Sequence, residues 1–349
     1  MKFTNGNWLL KKDIEAHYPK QVYDAETCEN SVTIYCPDKA IRDRADTVDG
    51  MLVSVKFSSP MEDIICVSMN HFKGELAIDP KFDIADTLNK HMSIKEDDSE
   101  IVLNTGNLNV CINKKEPFII DFMNGEKSIT KTGYKKMAYM KKENDGNYMM
   151  TQLDLGVGEC VYGLGERFTS LVKNGQVIDM WNEDGGTSSE QSYKNIPFYM
   201  TNKGYGVFVN HTGKVSFEVA SERVTKVQFS VPGESLEYYV IYGPSPKAIL
   251  EKYTSLTGKP SLPPAWSFGL WLTTSFTTSY DEKTVTGIID GMAKRDLPLA
   301  VFHFDCFWMK EYHLCDLKWD KNVFPDPEGM LKRLKEKGLK DRKSTRLNS

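Results

Sequence analysis

The hydrophobic pattern of this chain changes period at Gly243, and that change limits what it can fold into. Before it, apolar residues alternate at Val53, Val55 and Phe57, at Val215, Phe217 and Val219, and at Val227, Phe229 and Val231. That spacing puts every second side chain on one face of a strand. Turn clusters such as Asn124-Gly125, Asp145-Gly146 and Pro232-Gly233 separate the runs. Many short strands, glycine-rich breaks and little helical periodicity predict an antiparallel β-sandwich over residues 1–243. At roughly 240 residues it is large for one sandwich and leaves room for sub-lobes.

After Gly243 the signals become helical. Ser245 is a good N-cap, Pro246 suits the first helical position, and Gly258 stands where a helix would stop. Ile249, Leu250, Tyr253 and Leu256 share one face, and Pro260, Pro263 and Pro264 mark a boundary. Residues 244–262 therefore read as a helical connector. Trp266–Leu272 is a strand candidate. Val285, Ile288, Ile289 and Met292 keep the spacing of an amphipathic helix, and Ala300–Phe304 reads as a buried strand. A last helix has Asp326 as cap, Pro327 at its start, Met330, Leu331 and Leu334 inward, and Gly338 beyond its end. Strand, helix, strand, helix is the alternation of a parallel sheet. Residues 263–340 thus read as two βα units, and the polar, basic stretch 341–349 as a tail foreign to that pattern.

With 349 residues, 40% hydrophobic and 26% charged, the chain has a globular composition large enough for about two domains. A net charge of −4 offers no basic footprint for nucleic acid. No run reaches the roughly 18 apolar residues of a membrane helix. The N-terminus has only Trp8-Leu9-Leu10 as a continuous apolar stretch, so a cytoplasmic protein is expected. Seven scattered cysteines suit reduced thiols better than a disulfide framework. Homo-oligomer formation is left open.

The chemistry-bearing stretch is Ala300–Trp308, a strand that breaks into Asp305, Cys306, Phe307 and Trp308. A carboxylate at a strand end accepts hydrogen bonds from hydroxyls, and ring faces cover the C–H side of a sugar. The competing reading is an Asp that only caps the next turn, beside rings that belong to the core. His303, Asp305, Cys306, His313 and Cys315 lack the paired ligand spacing of a zinc site, and His303 reads as a core or shelf residue. Gly163-Leu164-Gly165-Glu166-Arg167-Phe168 looks like a dinucleotide fingerprint, but Phe168 replaces its third glycine and no βαβ unit surrounds it. The loop Trp181–Gly186 could offer Asp184 to a ligand. Thr273–Thr278 follows the first barrel-type strand and places Phe276 among hydroxyls, at the strand ends where ligands bind in such folds.

Several stretches together resemble glycoside hydrolase family 31, most closely its bacterial α-xylosidases. They are Val161–Phe168, Trp181–Asp184, Asn195–Met200, Gly204–Asn210, Pro263–Trp271 and Phe302–Trp308. The resemblance implies a galactose-mutarotase-like β-sandwich followed by the start of a (β/α)8 TIM barrel. It implies a carbohydrate substrate, an α-xyloside or α-glucoside, hydrolysed with retention and without metal or organic cofactor. Asp305 resembles the aspartate that holds sugar hydroxyls in the cleavage subsite, with Cys306 and Phe307 as the pair after it. A bulky pair there favours a pentose. Phe276 resembles a leaving-group-side aromatic, and Asp184 the carboxylate lent by an N-terminal loop. The family's catalytic aspartates come from later barrel strands, so no residue here is assigned as nucleophile or acid/base. The expected function is a fragment of an α-xylosidase, inactive as it stands. The alternatives are an α-glucosidase of the same family and a non-catalytic carbohydrate-binding or interaction module.

Overall fold

The structure is a computed structural model describing residues 2–74, 76, 80–85, 92–183, 192–274, 280–313 and 315–343. The chain divides into two compact units, Met1–Lys259 and Pro260–Ser349.

Among the described residues the first unit holds three antiparallel sheets. One has eight strands running in space from Val161–Gly163 through Phe198–Thr201, Tyr205–Val209 and Ser235–Tyr242 to Ile64–Asn70, and on to Asp24–Cys28 at its far edge. The second has six strands, from Ile14–His17 through Met137–Lys142 and Gly146–Asp154 to Gln176–Met180. A five-stranded sheet spans Ser93–Glu96 to Lys127–Gly133. The alternating residues that predicted strands meet inside. Val53, Val55 and Phe57 share one buried cluster with Phe217, Val219, Phe229 and Val231, joined by Leu103 and Val110 of the five-stranded sheet. Removing every second side chain from water is the main stabilising term of such a sandwich.

The helix Pro246–Thr257 forms as its caps predict, with the Ser245 side chain accepting from Ala248 N. It is more than a connector. Ile249 and Leu256 are buried with Phe198, Phe208 and Ile241, and Tyr253 stacks on Phe198 at 4.1 Å. Strand Tyr205–Val209 is consequently buried along its whole length. Gly206 permits this packing, since a Cβ there would lie 2.9 Å from the Ile249 side chain. Lys252 fastens the helix, reaching Asp63 Oδ2 at 2.5 Å and the Tyr242 carbonyl at 2.8 Å. The division between units therefore falls after Lys259, and residues 244–259 belong with the sandwich.

The second unit is a parallel sheet of Trp271–Leu272, Val301–Phe304 and Lys340–Lys343, with helices Glu282–Ala293 and Pro327–Glu336 between consecutive strands. Asp281 and Asp326 cap these helices through Thr284 N and Gly329 N. Two expectations need correction. Residues Ala265–Phe268 form a 3-10 turn, so the first strand shrinks to Trp271–Leu272. Pro264 cannot donate to a ladder, and the turn meets its own needs locally, Ser267 N donating to the Pro264 carbonyl at 2.9 Å. Asp341–Lys343, placed at the start of a foreign tail, instead completes a third strand, Lys340–Lys343, that pairs with Val301–Phe304. The pairing is made by backbone hydrogen bonds and does not require an apolar run of side chains.

Candidate functional site

Strand alternation decides where Asp305 stands. Phe302 and Phe304 are fully buried in a cluster with Val285 and Ile289 of one helix and Met330 and Leu334 of the other. Val301, His303 and Asp305 therefore belong to the opposite face, away from the helices. Tyr280 stitches the strand's end. Its hydroxyl accepts from Asp305 N at 2.6 Å and donates to the His303 carbonyl at 3.2 Å. Burial raises the Tyr280 pKa, which keeps that donor proton in place.

The half-buried Asp305 caps a short 3-10 turn, Cys306–Trp308, with Oδ1 accepting from Cys306 N at 2.7 Å. The turn-residue reading is thus correct as far as it goes. A carboxylate has about four acceptor sites, and the cap bond takes one of them. The residues after it part company. Cys306 is 4% exposed and packs in the core, where burial and the adjacent Asp305 charge push its thiol pKa up. A thiol in that state is a small apolar wall rather than a nucleophile or metal ligand. Phe307 is 36% exposed. Trp308 turns inward against Trp319 at 5.1 Å, and Trp319 meets Phe304 and Phe324 edge-on. The Met309–Trp319 bridge and the bond from Asp320 N to the Trp308 carbonyl close this loop. Asp305 therefore rides on a turn fixed from below by packed rings.

Asp184 and Phe276 lie outside the described residues. The base of the loop that bears Asp184 is described, and it is a clamp. Asn195 donates through Nδ2 to the Trp181 carbonyl at 2.8 Å, Asn182 Oδ1 at 2.9 Å and the Ser192 carbonyl at 3.0 Å. Its own Oδ1 accepts from Arg167 Nη2, while Arg167 Nε donates to the Leu164 carbonyl at 3.1 Å. Ser192 Oγ adds a 2.5 Å bond to the Glu166 carbonyl. Gly163, Leu164 and Gly165 all have positive φ, and a Cβ on Gly165 would collide with the Lys194 carbonyl. The glycine motif set aside as a failed dinucleotide fingerprint is the turn that delivers Arg167 to this clamp. Sequence reasoning missed it, although two glycines around one residue signal a left-handed turn. His313 pairs with Asp316 at 3.2 Å in an exposed turn, apart from His303.

Residues 54–218 match the glycosyl hydrolase 31 N-terminal galactose mutarotase-like domain, and residues 260–344 match the glycosyl hydrolases family 31 TIM-barrel domain. The chain belongs to glycoside hydrolase family 31. It is 48% identical to the α-xylosidase XylQ of Lactiplantibacillus pentosus over 97% of its own length and 44% of that protein. It is 46% identical to an α-xylosidase of Emericella nidulans, covering 97% of this chain and 46% of the relative. The chain thus spans under half the length of these relatives. Its fold matches the family 31 dextranase of Flavobacterium johnsoniae, solved with isomaltotriose, at a TM-score of 0.76 and 25% identity. That match covers 93% of this chain and 38% of the dextranase. In this family 31 chain the sandwich is the mutarotase-like domain, and the parallel unit is the start of the TIM barrel. Asp305 follows its second strand, at the carboxyl end where barrel enzymes bind substrate.

Proposed function

We propose that this chain forms the substrate-holding part of a retaining α-xylosidase that removes terminal α-xylosyl residues from xylosides or xylo-oligosaccharides. The observation that carries the reading is the identity of nearly half its residues to two α-xylosidases, sustained over 97% of the chain. In this account Asp305 accepts hydrogen bonds from hydroxyls of the xylosyl ring, from a turn that leaves it little freedom to relax. Charge-assisted bonds of this kind are about twice as strong as neutral ones. Cys306 supports Phe307 from within the core, and the exposed Phe307 ring restricts the space beside the sugar, disfavouring a hydroxymethyl group. Asp184 reaches the ligand from the clamped loop, and Phe276 stacks on the leaving-group side.

Retaining hydrolysis needs a nucleophile and an acid/base about 5–5.5 Å apart across one bond. Asp305 cannot fill both roles, and the pair is assigned to later barrel strands. The test is an assay of the purified 349-residue chain with 4-nitrophenyl α-xyloside, with host glycosidases excluded. No turnover is expected. Turnover that follows the protein and disappears in Asp305→Ala would mean that the catalytic pair has been misplaced. An α-glucosidase would instead show higher kcat/KM for 4-nitrophenyl α-glucoside in the full-length enzyme.

A further inference from the structure

The sandwich carries a groove of its own. Two adjoining cavities of about 420 and 280 Å³ share the lining residues Phe82, His211 and Thr212. This is the size range of small-molecule sites, roughly 300–1,000 Å³. Three rings line it while staying open to solvent, Phe72 at 58%, Phe82 at 39% and Trp181 at 51% exposure. Side-chain amides stand between them, Asn70 and Asn210 on one side and Asn182 on the other.

The walls are built. Phe82 packs on Phe208 at 5.7 Å, and Thr212 Oγ1 donates to the Pro80 carbonyl at 2.6 Å, holding the Phe82 segment to the opposite turn. Asn210 Nδ2 donates to Glu237 Oε1 at 2.7 Å, and the Tyr239 hydroxyl donates to the same oxygen at 2.9 Å. At the junction of the two cavities the His211 ring lies over Gly213, where a Cβ would come within 2.8 Å of Nε2. Burial lowers the His211 pKa, so the junction is uncharged at neutral pH.

We propose that this groove binds a neutral oligosaccharide. Solvent-open rings suit the C–H faces of sugars, and amides both donate and accept, as hydroxyls require. Among the described residues no arginine lines it, and Lys73 and Lys81 share the first cavity with Glu237, so those residues lack the forked donors that select carboxylates or phosphates. The far end is Trp181–Asn182, at the clamped base of the Asp184 loop. The ligand class rests on the family assignment, and the proposal is independent of the xylosyl preference.

The experiment is calorimetric titration of the 349-residue chain with a xyloglucan heptasaccharide, with maltotetraose, and with a tetragalacturonate as the charged control. Saturable binding of a neutral oligosaccharide in the millimolar range is expected. Trp181→Ala should weaken it about tenfold or more, as loss of one ring that the bound sugar covers implies. Should Phe82→Ala lower the melting temperature, Trp181→Ala, at an exposed ring, still carries the test. Absence of saturable heat with either neutral sugar, preference for the uronate, or undiminished binding in Trp181→Ala would each overturn the proposal.

Discussion

Replacing Asp63 should loosen the sandwich more than any surface change of similar size. Its side chain is 6% exposed and meets Lys252 Nζ at 2.5 Å, while Lys252 is 26% exposed. Asp63 also accepts from Asn107 N at 2.6 Å, tying a turn of the five-stranded sheet to the eight-stranded sheet and the helix. Asp63 itself has φ of 62°, a conformation that Asp and Asn tolerate better than Ala. Removing one partner of a buried pair costs about 3–5 kcal/mol. Lys252 can partly rehydrate through its exposed quarter, so the low end applies, near 3 kcal/mol for Asp63→Ala including the backbone term. Asp63→Asn keeps the backbone preference and one acceptor and should lose about 2 kcal/mol. Lys252→Met added to Asp63→Asn should cost less than the two singles together, because neither then leaves a buried charge alone. Urea unfolding monitored on the first unit measures these differences through the midpoint at constant slope. A change under about 0.5 kcal/mol in Asp63→Ala would refute the reasoning, since that is the range of ordinary surface substitutions.

Other outcomes follow from the same structure. Arg167→Ala should raise amide exchange across residues 181–183 and 192–195 by at least about tenfold, as expected for a lost charge-assisted bond of roughly 1.5–3 kcal/mol, with global stability much less affected. Unchanged exchange would remove the clamp from the account. Burial raises the Glu234 carboxyl, but bonds from His71, Tyr139 and Asn147 outweigh it and hold its pKa below the ordinary value. The folded pKa lies below the unfolded one, so its stabilisation is complete above pH ~4.5 and is lost as pH falls through the lower folded value. Glu234→Gln should therefore flatten the acid limb of the melting curve below pH ~4.5, and an unaltered limb would contradict the assignment. Among the cysteines, exposed Cys28 and Cys315 should react with a thiol reagent in the native protein, while Cys306 should react only on unfolding.

What the sequence shows in advance is what periodicity and capping encode. Phe217 and Phe229 are buried because alternation permits nothing else in a sandwich strand, and Ser245 and Asp326 cap helices through contacts three residues away. The position of Asp305, directly after a buried parallel strand, is legible for the same reason. The features that escape are held by distant pairs. Arg167 meets Asn195 across 28 positions, and Lys252 meets Asp63 across 189. Cys306 and Phe307 are adjacent and equally plausible as site walls. Their opposite burial comes from the 3-10 turn that Asp305 itself caps. Lys340–Lys343 escapes because its pairing is made by backbone groups that every residue carries, with no apolar run to signal it.

The central claim is that Asp305 holds the sugar of an α-xyloside, and kinetics of the full-length enzyme test it most directly. With 4-nitrophenyl α-xyloside, Asp305→Ala should reduce kcat/KM by about 10²–10³ or more, since loss of charged hydrogen bonds in the transition state costs a few kcal/mol. Asp305→Asn should recover part of that loss, because the amide can still accept one bond and cap the Cys306 turn. An Asp305→Ala enzyme of unchanged melting temperature that keeps wild-type kcat/KM would contradict the account.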